Sequence, residues 1–310
     1  MPATMLRPLS LGELLDRTFS LYKQNFLLFF GIMVWPSLLA VAVGLLNTGM
    51  QSLIRRPAAG VNVAVMGAGI GFGMMVLGLA YWVAYTLALG ATTLAVSDVY
   101  LGNAVTISAS YKKMKGRTWG LMCLMGWISL QVGAVVVLLA ILMGVIAAAG
   151  RAIGAVAVLI LLPLIIGVPL WLLLRYSAAV PAMMLEQLRA RQAASRSGQL
   201  MKGNLGRAFL LLLLMVIITY TVMAVFQGPF FVAAVMTAQN GQPALWLMGL
   251  STVMGGLGGA LAAPLLMIGL VLLYYDIRIR KEAFDLQLLM GPPIENVSGD
   301  SPAAAAAPSV

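Results

Sequence analysis

The sequence predicts an all-α, polytopic membrane protein: six transmembrane helices arranged as three hairpins, with amphipathic cytoplasmic helices. Three observations lead there. Of 310 residues, 62% are hydrophobic and 9% charged, and mean hydropathy is +1.00. A soluble domain carries about 25% charged residues, so this composition suits lipid. Six apolar runs each reach the length of about 20 residues that a hydrocarbon core requires. The basic residues fall mainly in short connections between those runs.

The first element is Ser10 to Phe26, SLGELLDRTFSLYKQNF. Ser10 and Glu13 have capping-box spacing, each able to satisfy a backbone N–H of the other. Leu11, Leu14, Leu15, Phe19, Tyr22 and Phe26 recur at helical spacing, with Glu13, Asp16, Arg17 and Lys23 mostly on other faces. Two roles fit such a helix. It can lie among lipid headgroups, or it can pack on the cytoplasmic ends of the spans.

The first span is expected over Phe26–Leu46, broken at Trp35-Pro36, and it ends in a loop with Arg55, Arg56 and Pro57. It starts after a charged, amphipathic lead and is read as a span, not as a cleaved signal peptide. Val61 to Ser97 then carries no charge. As one helix it would be about 55 Å long against a core of roughly 30 Å. The second span is therefore placed from near Gly69 to Asp98. A polar connection, Tyr100 to Arg117, leads to the third span, Thr118 to Gly150. Arg151 marks a turn. The fourth span, Ala152 to Ala182, is expected to be interrupted by Pro163 and Pro169. After the basic connection Arg189 to Arg207 come the fifth span, Ala208–Ala238, the turn QNGQP, and the sixth span, Ala244–Tyr275. Gly291-Pro292-Pro293 stops the last helix. Residues 1–293 then form one membrane domain, and 294–310, rich in Ala, Pro and Ser, form a disordered tail.

Fifteen of the nineteen Lys and Arg residues lie on one side, in groups of three, four, five and three, against Arg55, Arg56 and Arg151 on the other. The positive-inside rule puts both termini in the cytoplasm. All nine acidic residues share that side. Thr18-x4-Lys23, Ser110-x4-Lys115 and Ser197-x4-Lys202 each precede an odd-numbered span, and the even-numbered spans exit into Asp98, Glu186 and Asp276. This suggests a unit repeated three times with a period near 90 residues. Lysines placed by the positive-inside rule alone are the simpler alternative.

Chemistry is read mostly by exclusion. The net charge of +10 would suggest nucleic acid in a soluble protein, but here it follows the spans and favours anionic lipid. There is no histidine, and Cys123 is the single cysteine. That removes disulfides within the chain, Cys/His metal sites and His-dependent triads. Gly67, Gly69, Gly71 and Gly73 do not have phosphate-loop spacing. With Gly255, Gly256, Gly258 and Gly259 they are read as sites of close helix approach. Tyr81, Trp82 and Tyr85 are read as a packed cluster or a cavity wall. Asp276–Arg280, Arg278–Glu282 and Lys281–Asp285 are i,i+4 pairs that continue the last helix into water.

LGELLDRTFSLYKQNF, SAAVPAMMLEQLRARQAASRSGQLMKGN and LLYYDIRIRKEAFDLQ resemble the membrane domain of bacterial glycerophosphoryl diester phosphodiesterases and its free-standing six-span relatives of unassigned function. The resemblance covers roughly residues 9–290. It implies a membrane domain and no catalysis, since the phosphodiesterase barrel and its histidines have no counterpart here.

The expected function is non-enzymatic: a multi-pass protein of the bacterial cytoplasmic membrane that meets anionic lipid or a protein partner in an envelope or lipid-related process, with no cofactor. Lys23, Lys115, Lys202, Arg278, Arg280, Asp98, Glu186 and Asp276 are the candidate charge and headgroup contacts. The alternative is a small transporter with a cavity between the hairpins, Arg175 and Tyr176 near its cytoplasmic mouth.

Overall fold

The computed structural model describes residues 9–55, 63–148, 151–238 and 243–282. All regular structure among them is helical: α1 (Leu11–Gln24), α2 (Phe26–Arg55), α3 (Val63–Tyr100), α4 (Ile107–Lys113), α5 (Thr118–Ala148), α6 (Arg151–Tyr176), α7 (Ala179–Leu185), α8 (Ala190–Met201), α9 (Leu205–Met236) and α10 (Leu245–Glu282). Arg56, Pro57, residues 239–242, Asp285, the Gly291-Pro292-Pro293 stop and the 294–310 tail lie outside the described residues.

Six stretches are long and apolar enough to cross a membrane: Phe26–Gln51, Gly67–Tyr100, Thr118–Ile146, Pro163–Leu185, Leu205–Met236 and Leu245–Glu282. Their surfaces explain the composition. Trp35, Phe72, Trp127, Leu138, Val145 and Met236 are exposed, in positions that lipid would cover. The spans are not equivalent. Only 6% of the most apolar window of α5 is buried inside the protein, against 61% for α10. α10 is the central helix and packs on α9, α2, α1 and α3. α9 runs antiparallel to it from Arg207 beside Asp276 to the Ala234 carbonyl, which accepts from the Ala244 N–H at 3.3 Å. α2 packs on α3, and α5 on α6.

Four expectations change. Trp35-Pro36 does not break the first span, and Pro163 and Pro169 do not interrupt α6. A transmembrane helix tolerates proline where neighbouring groups take over the freed backbone partners. The fourth span breaks instead at Ser177-Ala178, and α7 follows with Pro181 in its first turn, where a missing N–H costs least. The glycines also divide. At Gly69, Gly71 and Gly73 an added Cβ meets nothing within 4 Å, so no helix approaches there. At Gly258 it would lie 3.2 Å from the Met223 Cα and 3.3 Å from the Phe226 Cβ, so α9 and α10 touch backbone to backbone.

The polar connections carry α1, α4 and α8. Ser10 caps α1 reciprocally: the Glu13 N–H donates to Ser10 Oγ at 3.2 Å, and the Ser10 N–H to Glu13 Oε2 at 2.7 Å. Thr106 Oγ1 accepts from the Ala109 N–H at the start of α4. α1 does not lie apart from the bundle. It packs along the last half of α10, with the Leu9 N–H donating to Asp276 at one end and Tyr22 Oη to the Leu261 carbonyl at the other. Burial pushes the Tyr22 hydroxyl up to about 12, so it stays a donor.

Burial repeats in the register seen in the sequence. Thr18, Ser110 and Ser197 are all fully buried. In each copy the positions eleven, fourteen and eighteen residues later are buried too: Phe29, Ile32 and Pro36; Leu121, Leu124 and Ile128; Ala208, Leu211 and Met215. The following span begins eight residues after each hydroxyl. Gly116 and Gly203 turn the chain into the span with φ of 91° and 83°, values that L side chains rarely adopt.

These contacts predict a contrast. Gly258→Leu should drive α9 from α10 and lower the unfolding free energy in detergent by about 1–3 kcal/mol, whereas Gly69→Leu should leave the midpoint unchanged. Thermal unfolding of both variants measures it, and equal midpoints would refute the close approach at Gly258.

Candidate functional site

Charge gathers at one end of the bundle, where the three carboxylates that close the even-numbered spans have different surroundings. Asp98 accepts from Lys113 Nζ at 2.6 Å near the surface. Glu186 lies between α7 and α8. Arg196 reaches its Oε2 at 3.1 Å, Tyr274 Oη donates to Oε1 at 2.6 Å, and Arg278 Nε stands 3.6 Å away. Asp276 is 1% exposed and accepts from Arg207 Nη2, Arg280 Nε and the Leu9 N–H at 3.0, 3.0 and 2.7 Å.

Helix ends supply the remaining partners. The break after Tyr176 frees the Arg175 carbonyl from its place in a helical ladder, and Ser197 Oγ donates to it at 2.7 Å. Lys281 Nζ donates to the carbonyls of Gln199 and Lys202. Arg117 Nη1 donates to the Met184 carbonyl. Glu282 joins Arg196 and Arg278, so α7, α8 and α10 share one ionic network.

The candidate residues therefore separate into two sets. Asp98, Glu186, Asp276, Arg278 and Arg280 are engaged inside the protein. Both Asp276–Arg280 and Arg278–Glu282 form as i,i+4 pairs. Lys23, Lys115 and Lys202 are exposed, and their side chains have no partner among the described residues. They occupy the same step of the three units, five residues past the buried hydroxyl and three before the span. Arg175 is exposed on α6, where its guanidinium lies 5.3 Å from the Trp171 ring centroid and 5.8 Å from that of Tyr176.

A cavity of about 530 Å³ lies between α2, α3, α9 and α10. Arg175 and Tyr176 do not line it; Tyr81 and Tyr85 do. Arg196, Arg207, Tyr274 and Glu282 complete the polar end and were not singled out from the sequence as partners of Glu186 and Asp276. Glu186 and Tyr274 are 88 residues apart, and no periodicity links them. The one available signal was the clustering of both signs of charge on one side.

Burial alone would raise the Glu186 pKa. The hydrogen bonds from Tyr274 and Arg196, with the charges of Arg196 and Arg278, outweigh it and hold this carboxyl below its ordinary 4.5. A depressed carboxyl stabilises the fold above its unfolded pKa and loses that contribution as pH falls through the folded value.

The six apolar helices and the charged end together define a multi-pass integral membrane protein. Residues 150–288, from α6 to beyond α10, match the family described as the membrane domain of glycerophosphoryl diester phosphodiesterase. That span starts later than the resemblance from residue 9 and covers somewhat under half of the chain, with α1–α5 outside it. No curated protein and no solved structure matches the chain.

Acid unfolding tests the network. The wild type should lose stability as pH falls below about 4.5. Glu186→Gln should unfold about 1–3 kcal/mol more easily at neutral pH and show a shallower loss below it. Unfolding midpoints between pH 3 and 7 would decide, and parallel pH curves would refute the role of Glu186.

Proposed function

We propose that the chain is a non-enzymatic membrane domain of the bacterial cytoplasmic membrane, with its charged end in the cytoplasm and its free lysines on anionic lipid headgroups. One observation carries this reading. The charged groups that could hold the bundle together are already paired with one another, whereas Lys23, Lys115 and Lys202 are left over at one level. Each stands one turn before an apolar run, where a lysine stem can follow the helix down while its ammonium meets a headgroup. An attraction of about 1 kcal/mol per lysine is expected at an anionic surface. With neutral headgroups, these ammonium groups would gain only solvation.

The fit to a non-catalytic role is also chemical. The Glu186 and Asp276 carboxylates are saturated by arginine and tyrosine donors, which suits holding helices and not proton transfer. A docked protein partner would use the same three lysines. Lipid is the simpler reading because all three lysines are exposed and each stands three residues before one of the apolar helices α2, α5 and α9.

Two measurements test the proposal. Native mass spectrometry of the detergent-purified protein should show phosphatidylglycerol retained over phosphatidylcholine. The preference should fall about fivefold for each of Lys23→Gln, Lys115→Gln and Lys202→Gln at low ionic strength. An unchanged preference in the triple variant would remove the lysines from the proposal. For orientation, Lys115→Cys and Lys202→Cys in a Cys123→Ala background should both react with an impermeant maleimide only in inverted vesicles. Reaction from opposite faces would overturn the six-span arrangement.

A further inference from the structure

The cavity between α2, α3, α9 and α10 is not used by the reading above and is independent of it. On α10, a Cβ at Gly259 would meet nothing within 4 Å, whereas one at Gly255 would meet Gln227 Oε1 at 2.8 Å and one at Gly256 would meet Val41 Cγ2, so open space lies beside Gly259. Several polar groups converge on this space. Thr219 Oγ1 is buried without a partner. The hydroxyls of Tyr81, Tyr85 and Tyr220 and the amide of Gln227 have no hydrogen-bond partner among the described residues, and all line the cavity.

Such an arrangement needs a reason. In hydrocarbon, no water compensates an unpaired hydroxyl or amide, and each costs about 1–3 kcal/mol when buried. Here the buried Thr219 Oγ1 and the half-buried Tyr81, Tyr85 and Gln227 share one cavity of ligand size; small-molecule sites run from about 300 to 1,000 Å³. No Asp, Glu, Lys or Arg lines it. A charged ligand would therefore enter without compensation. Tyr220, 67% exposed, marks a side open to lipid. It lies 13 residues beyond Arg207 along α9, about 20 Å into the span, so access is from the acyl region of the bilayer and not from water.

We propose that this cavity binds an uncharged lipid bearing hydroxyl or ester oxygens, with its polar atoms on Tyr81, Tyr85, Thr219 and Gln227 and its chains leaving past Tyr220. Diacylglycerol is the representative of that class. Tyr81 stacks on Tyr85 with ring centroids 5.8 Å apart, so α3 supplies two adjacent phenols to the lining while α9 supplies Gln227. The set offers hydroxyl donors from two tyrosines and Thr219, and both donors and an acceptor from the Gln227 amide, enough for one glycerol ester group.

The test is photolabelling of the full chain, reconstituted in phosphatidylcholine vesicles, with a diacylglycerol carrying a diazirine near its ester. Labelled peptides are expected from residues 81–85 and 216–227, with unlabelled diacylglycerol competing at least tenfold better than phosphatidic acid of the same chains. Gly259→Leu, which fills open space, should abolish this labelling while keeping the wild-type unfolding midpoint. Tyr81→Phe/Tyr85→Phe, which keeps the ring shapes, should weaken it about fivefold or more. Labelling spread evenly over exposed faces such as Leu138 and Val145 would overturn the proposal. So would equal competition by phosphatidic acid, or labelling indifferent to both variants.

Discussion

Asp276 is the carboxylate on which the polar end closes. It is 1% exposed, and a charge that far from water is tolerated only when fully partnered. Its partners come from three places: Arg280 one turn along the same helix, Arg207 at the start of α9, and the backbone N–H of Leu9 ahead of α1. Removing both arginines would leave the charge uncompensated in the interior, and losing the Leu9 N–H would free one carboxylate oxygen of a donor. α1, α9 and α10 are thus held in one register by a single side chain. Glu186 plays a comparable part for α7, α8 and α10.

The apolar part follows a different constraint. Lipid tails are as apolar as leucine, so burying leucine gains little there, and helices associate by close packing. This is why α10 presents glycine where it meets α9 and α2 and presents large side chains nearer the charged end. Tyr274, Ile268 and Leu273 are fully buried there, in surroundings like those of a soluble core. The protein therefore contains two kinds of interior along one helix: van der Waals contact between backbones in the membrane, and a dense side-chain core with ionic closure at its base.

Much of this was legible in the chain. The six apolar runs, the Ser10–Glu13 cap, the i,i+4 pairs of α10 and the Ser/Thr-x4-Lys spacing can all be read locally, because each depends on residues within one or two turns. What could not be read depends on distant partners. Nothing in GAGIGFG distinguishes glycines that face open space from those in STVMGGLGGA that touch another backbone. Pro163 and Pro169 looked like breaks because their local chemistry is unfavourable, yet the helix yields at Ser177, where Ser197 from α8 takes over the released carbonyl. The cavity was legible only in part: Tyr81 and Tyr85 could be read as a cavity wall, but Thr219 and Gln227 join them only once four helices are in place.

The centrality of α10 has a consequence for how the protein is made. It is the last of the six spans to leave the ribosome, yet it is the one on which α1, α2 and α9 rest. Until it inserts, α2 can pack on α3 and α5 on α6, but the faces of α1, α2 and α9 that meet α10 have no protein partner and Arg207 lacks its carboxylate. The contacts that join α1, α2 and α9 through α10 are therefore the last to become possible. A chain lacking α10 would leave Arg207 without its counter-charge and α1, α2 and α9 without the helix they share.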